Sequence, residues 1–192
     1  MSLHQKIVKR GIYFITFTNH AWLPLIQLTE GYDLVYNWFR IMSQKGHIIT
    51  GFVIMPNHLH LLLYYGGGDQ SLNTIVGNGK RFMAYAIVER LEQAGNTEII
   101  ARLRKDVKAK DKSRGKIHEV WKDAFDVKEC RTEKFILQKL NYIHNNPCSG
   151  KWRLAVDSIH YLHSSASIYI NGKRGGYGVS DYREFIDLGE EE

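Results

Sequence analysis

The residues best suited to chemistry lie in Met55-Pro-Asn-His-Leu-His-Leu-Leu-Leu63. On a β-strand successive side chains alternate between faces, so His58 and His60 point the same way. Two residues along a strand cover about 6.5–7 Å, close enough for converging imidazoles to share one metal ion. Leu59, Leu61 and Leu63 then point to the other face and bury against helices. Two nitrogen ligands alone do not complete a site for a divalent ion, and a lone His-x-His pair is more often structural. Of the chain's nine histidines, His4, His20 and His118 fall in no evident pattern. A third ligand is needed.

A segment from Thr132 offers one. Thr132 caps a helix that must stop near Asn146, because Pro147 disfavours the helical region for the residue before it. With Tyr142 as origin, Gln138 lies four residues before and Asn146 four after, so the three share a face. Ile136, Leu140 and Ile143 form a separate packing stripe. Asn146 can give a carbonyl oxygen to a hard cation beside the tyrosine hydroxyl, and Lys139 can contact phosphate or favour the phenolate. A free tyrosine hydroxyl is a poor nucleophile at neutral pH. A cation polarising a phosphate would stabilise the charge that develops on attack. The bland alternative makes Tyr142 a rim residue and Asn145-Asn146-Pro147 a helix stop.

These residues must be held by the elements around them. Ile12–Thr18 is β-branched and aromatic, a first strand. Thr29 is expected to cap a helix running to about Lys45, ended by Gly46. His47–Met55 and His58–Tyr65 are strands joined by a Pro56-Asn57 turn. Ser71 to about Ala94 is mostly helical, with Phe82, Tyr85, Ala86 and Leu91 expected on its buried side and Gly77 and Gly79 weakening its first half. Strand-like residues end in Phe125–Cys130. The order β-α-β-β-α-β-α predicts an α+β fold. It has a ferredoxin-like (RRM-like) antiparallel sheet with helices on one face, plus a C-terminal helix bearing the tyrosine. One domain over 1–192 is expected, its core about 11–170 and its tail about 171–192, with Glu190–Glu192 frayed.

Composition narrows the function classes. The chain has 192 residues, 44% of them hydrophobic and 24% charged, which fits an ordinary globular core and excludes a repeat array or a disordered polymer. No apolar run approaches a membrane span, and the basic N-terminus lacks a signal-peptide core, so a cytoplasmic protein is expected. Cys130 and Cys148 show no zinc or redox spacing and are expected to be free. The net charge of +6 is matched by one stretch: Arg102, Arg104, Lys105, Lys108, Lys110, Lys112, Arg114 and Lys116 stand against only Asp106 and Asp111. Such a run is either a solvated face or a phosphate-contacting segment.

Taken together, the two motifs resemble those of the single-tyrosine HUH transposases (histidine, hydrophobic, histidine), closest to the branch associated with repetitive extragenic palindromes. Phe52–Leu63 is similar to that family's metal strand, and Tyr142-Ile-His-Asn-Asn-Pro147 to its nucleophile helix. Weaker similarities lie at Thr16–Thr18, Gly79–Phe82, Trp121–Asp126 and Tyr161–Ala166, in the right order over roughly residues 11–170. The resemblance implies that His58, His60 and Asn146 ligate Mg²⁺ or Mn²⁺, the softer Mn²⁺ suiting two imidazoles better. It implies that Tyr142 attacks a phosphate in single-stranded or hairpin DNA, giving a 5′-phosphotyrosine and a free 3′-hydroxyl. Related proteins are often homodimers, in some of which the tyrosine helix completes the partner's site. The basic stretch exceeds what compact members carry and would be an added DNA-contacting loop. Two other readings stand beside this one: a non-catalytic single-stranded nucleic-acid-binding module on the same sheet, and a metal hydrolase using bound water.

Overall fold

The computed structural model describes residues 6–122, 124–150, 152–172 and 176–186. His4, Asp123 of the Trp121–Asp126 segment, and Glu190–Glu192 lie outside the described residues.

Four strands form one antiparallel sheet in the order β2-β3-β1-β4: β1 (Gly11–Thr18), β2 (Ile48–Met55), β3 (His58–Tyr65) and β4 (Asp126–Glu129). The Pro56-Asn57 turn closes β2 on β3, with Met55 opposite His58. Period-two alternation divides the side chains cleanly. Tyr13, Ile15, Phe17, Leu59, Leu61, Leu63 and Tyr65 share one cluster with Val35, Trp38, Phe39 and Met42 of α2 (Tyr32–Gln44) and with α3 (Leu72–Gln93). Ile12, Phe14, Val53, Leu62 and Tyr64 share the opposite cluster with Ile136, Leu140 and Ile143 of a helix spanning Glu133–Asn145. The expected packing stripe therefore seats that helix on the sheet face that carries His58 and His60.

Several expectations need correction. Thr29 does not cap α2. Its hydroxyl donates to the Leu25 carbonyl and ends a short α1 (Leu25–Leu28), while Gly31 precedes α2. Helix α3 is continuous through Gly77 and Gly79. Glycine at 79 is required because a Cβ there would collide with the Trp38 ring. Its buried side runs Leu72, Ile75, Val76, Gly79, Met83, Ile87, Val88 and Leu91, leaving Phe82 and Tyr85 62% and 65% exposed. Both stripes are apolar at helical spacing, and only the partner helix chooses between them.

The basic stretch is ordered as the end of α4 (Thr97–Lys105) and α5 (Ala109–Lys112), anchored by buried Ile100 and Leu103. The helix Glu133–Asn145, now α6, begins at Thr132, whose hydroxyl accepts from Phe135 N at 3.3 Å. It stops where Pro147 predicts, yet Asn146 keeps helical angles and opens a 3-10 turn, Asn146–Cys148, whose first residues tolerate a proline without a donor.

Nor is α6 last. Helix α7 (Ala166–Asn171) follows a segment that clamps the outer edge of β2. Ile54 N donates to His163 O (2.8 Å), Ser165 N to Phe52 O (3.0 Å), and Tyr161 Oη to Ile54 O (2.8 Å). An open strand edge invites pairing with other chains, and this cover removes it. Beyond the expected core boundary at 170, Tyr177 packs against the α2–α3 cluster and Tyr182 is buried in the other. Among the described residues no helix is long and apolar enough to cross a membrane, and Cys130 and Cys148 are free thiols.

Candidate active site

His58 and His60 lie on β3 with ring centroids 4.8 Å apart, both nearly buried. Each has its Nδ1 engaged. His60 Nδ1 lies 2.7 Å from the Thr16 hydroxyl on the paired strand, where the register sets Thr16 opposite His60. His58 Nδ1 lies 2.7 Å from Asn57 Oδ1. The Asn57 amide is oriented by its other end, since its nitrogen donates to the Trp22 carbonyl at 3.0 Å. Its oxygen must therefore accept from His58 Nδ1–H, which makes Nε2 the ring's acceptor nitrogen. This outer ring of hydrogen bonds is the arrangement that orients metal-binding histidines.

Burial pushes His58 down to about 4, partly offset by a contact with the Asn146 side chain that favours the protonated ring. Burial pushes His60 down to about 3, helped by neighbouring His58 and Lys139. Both rings are neutral at pH 7, the form that binds a cation. Asn146 thus lies beside His58.

Two neutral nitrogens and one amide oxygen are three donors without charge. Among the described residues no group of three His, Cys, Asp or Glu is placed to hold a metal. Such a donor set fits a divalent ion only if oxygens from solvent or substrate complete it, and a phosphate would supply them.

Tyr142 stands on α6 over the same spot. Its ring is edge-on to His60 (centroids 4.9 Å, planes 70° apart) and edge-on to Phe14 (6.1 Å), with half of its surface exposed. Lys139, one turn earlier, holds its Nζ 4.9 Å from the Phe14 centroid and 5.0 Å from that of Phe135. His58, His60, Lys139, Tyr142 and Asn146 all line one cleft of about 750 Å³. Gln138, on the same helix face, is exposed and does not line it.

The cleft also takes in residues that spacing did not point to: Trp22, Lys122, Asp126, Lys128 and Trp152. Asp126 and Lys128 could have been found from β4, whose pairing with β1 sets them opposite Thr16 and Phe14 on the histidine face. Trp22 offered no such signal. It reaches the site through Asn57, 35 residues away in sequence.

The basic stretch does not enter the cleft: none of Arg102, Arg104, Lys105, Lys108, Lys110, Lys112, Arg114 or Lys116 lines it. Part of its charge is matched locally, Lys116 by Glu119 (2.5 Å) and Arg104 by Glu92 (3.6 Å). One bond ties it to the site's rim, His20 Nε2 to Asp106 Oδ2 at 2.8 Å, two residues before Trp22.

No protein-family model matches the sequence, and no curated protein does. Among solved structures, a REP-associated tyrosine transposase bound to a REP hairpin matches over 94% of both chains, at 16% identity and a TM-score of 0.56. A Deinococcus radiodurans protein provisionally assigned as a transposase matches 76% of this chain and 97% of its own at 16% identity, but its TM-score of 0.33 carries no weight. The chain thus shares its fold with a REP-associated tyrosine transposase.

Proposed function

We propose that the chain is a transposase-like enzyme of the single-tyrosine HUH family that nicks and rejoins single-stranded or hairpin DNA, with Tyr142 as nucleophile. The observation that carries this is the meeting, within one chain, of a half-exposed tyrosine with two neutral, hydrogen-bonded histidines in an open cleft. The strand order β2-β3-β1-β4, with α2 and α3 on one face, supports the ferredoxin-like plan. The packing of α6 on the other face supports its role as the nucleophile helix in a single domain.

His58, His60 and Asn146 would hold Mn²⁺ or Mg²⁺, which when bound supplies Lewis-acid polarisation of the scissile phosphate. The protein's own residues do the rest. Tyr142 Oη forms a bond to phosphorus as the bond to the 3′-oxygen breaks. The phenolic proton passes through solvent and the departing oxygen takes one up, giving a 5′-phosphotyrosine and a free 3′-hydroxyl. Reversal rejoins the strand with no other energy source, since the phosphodiester bond energy is kept in the adduct. Lys139 places a positive charge beside the nucleophile, and the basic stretch from Arg102 to Lys116 provides a second phosphate-contacting surface outside the cleft.

Incubation with single-stranded hairpin DNA and Mn²⁺, followed by a denaturing gel, tests the reading. A covalent adduct that disappears in Tyr142→Phe is expected. An adduct that survives that substitution removes the nucleophile assignment. Cleavage without an adduct favours a hydrolase, and binding alone favours a non-catalytic module.

A further inference from the structure

Trp22 is a large apolar side chain that the fold keeps in the open. It is 51% exposed at the rim of the cleft. Its backbone lies in the left-handed region (φ 58°), as does that of Ala21 (φ 49°), two consecutive residues other than glycine in a conformation that L-residues disfavour. Such strain persists only where surroundings impose it, and it gathers at ligand-binding positions. The imposing contact is identifiable. The Asn57 amide that orients His58 also donates to the Trp22 carbonyl, so one side chain fixes both the Trp22 backbone and the histidine. The Trp22 ring stands edge-on to His58 at 6.1 Å, and Lys122 brings its Nζ to 4.2 Å from the ring centroid.

Ring contacts run from Tyr142 to His60, from His60 to His58 and from His58 to Trp22, and the register sets Phe14, which Tyr142 also touches, opposite Leu62, and Thr18 opposite His58. The two exposed rings touch different members of the histidine pair, Tyr142 that of His60 and Trp22 that of His58. Phosphoryl transfer brings the attacking and leaving oxygens roughly into line. With attack from the Tyr142 end, the leaving 3′-oxygen departs toward Trp22.

Building on the nicking reading above, we infer that Trp22 is a stacking platform for an unpaired nucleobase, that of the nucleotide on the 5′ side of the scissile bond. Lys122 sits where it can pair with that nucleotide's own phosphate. A π-face accepts any base, so this contact retains the strand rather than choosing its sequence. Its consequence is that the strand ending in the free 3′-hydroxyl stays beside the phosphotyrosine, ready to be rejoined.

The scissile step is first mapped by letting the wild-type protein act on a randomised single-stranded pool with Mn²⁺ and sequencing the captured strands. Oligonucleotides carrying 2-aminopurine immediately 5′ or immediately 3′ of that step are then bound to Tyr142→Phe, which cannot turn them over. Quenching of the 5′ probe is expected, lost when Trp22→Ala is added and largely kept with Trp22→Phe. Affinity should fall roughly tenfold or more with Trp22→Ala. Trp22→Leu, apolar without a π-face, repeats the comparison if the alanine variant does not fold. Adduct formation with quenching indifferent to Trp22, or quenching confined to the 3′ probe, overturns this assignment alone. If the wild-type protein captures no strand, the nicking reading falls and this assignment falls with it.

Discussion

The ring of Tyr142 stands edge-on to the imidazole of His60, 4.9 Å between centroids and 70° between planes. This contact belongs to the ring, not to the hydroxyl, and the side chain is half exposed. Tyr142→Phe should therefore keep the aromatic packing and change stability by less than about 0.5 kcal/mol, the range of ordinary surface substitutions. It should nevertheless abolish the covalent adduct while leaving oligonucleotide binding intact. A thermal melt beside the adduct gel checks both, and a large drop in melting temperature would mean that the hydroxyl has a structural role instead.

Much of this site could be read from the chain because its parts are local. His58 and His60 need only strand alternation to share a face, and Tyr142 and Asn146 need only the helical repeat. The Thr132 cap and the stripe of Ile136, Leu140 and Ile143 are equally local. What stayed hidden depends on distant partners. Phe82 and Tyr85 read as core in the sequence because α3 offers two apolar stripes, and only Trp38 of α2 packing against Gly79 decides between them. The Tyr161–Ala166 segment matched a family pattern without a mechanism, since its bonds to Phe52 and Ile54 span more than a hundred residues. Trp22 needed the Asn57 amide to bring it to the histidines.

The donor set predicts a preference among cations. Two imidazoles and an amide oxygen suit Mn²⁺ better than Mg²⁺. If the proposed site holds the ion, a Mn²⁺ concentration about a hundredfold above its dissociation constant should add ~2.7 kcal/mol by linkage and raise the melting temperature by roughly 5–10 °C. Mg²⁺ should need a higher concentration for the same shift, and His60→Ala should remove the shift for both ions. A Mn²⁺-induced stabilisation that survives loss of His60 would place the ion elsewhere.

Mild acid should destabilise the metal-free protein. Burial holds His58 and His144 down to about 4 and His60 to about 3, whereas the unfolded chain takes up these protons near the ordinary histidine value. Protons therefore bind the unfolded state first. The stability contributed by these neutral rings is complete above about pH 6.5 and drains away as the pH falls toward 4. The total should be on the order of a few kcal/mol, because none of the three is wholly sealed from solvent. Denaturant titrations at pH 7 and at pH 4.5 measure it. His144→Gln, whose amide can still reach the Ser165 hydroxyl that His144 Nε2 meets at 2.9 Å, should lose less stability over that interval. An equal loss in wild type and variant would exclude His144 from the effect.

Leu140 of α6 packs its side-chain tip over Gly51 of the sheet, and changing that contact should move the chemistry as well as the stability. The β2–β3 register shifts between Ile49 and Gly51, and at that irregularity the helix comes so close that a Cβ on Gly51 would lie 2.7 Å from Leu140 Cδ1. Leu140 is buried on the face that seats α6, two residues before Tyr142. Gly51→Ala must displace that side-chain tip or lift the helix, at a cost of about 1 kcal/mol, the low end for overpacking. Leu140→Val alone removes a buried methylene and costs about 1 kcal/mol. Combined, the two changes relieve each other, because the space vacated at 140 receives the new methyl group at 51. The double variant should be more stable than the sum of the single losses by about 1 kcal/mol, the coupling expected of residues in contact. Adduct yield at a temperature where every variant is folded should follow the same pattern, falling in Gly51→Ala and recovering in the pair, since Tyr142 rides on the helix that moves. Additive stabilities, or an adduct yield indifferent to Gly51, would show that the position of Tyr142 is governed from elsewhere on α6.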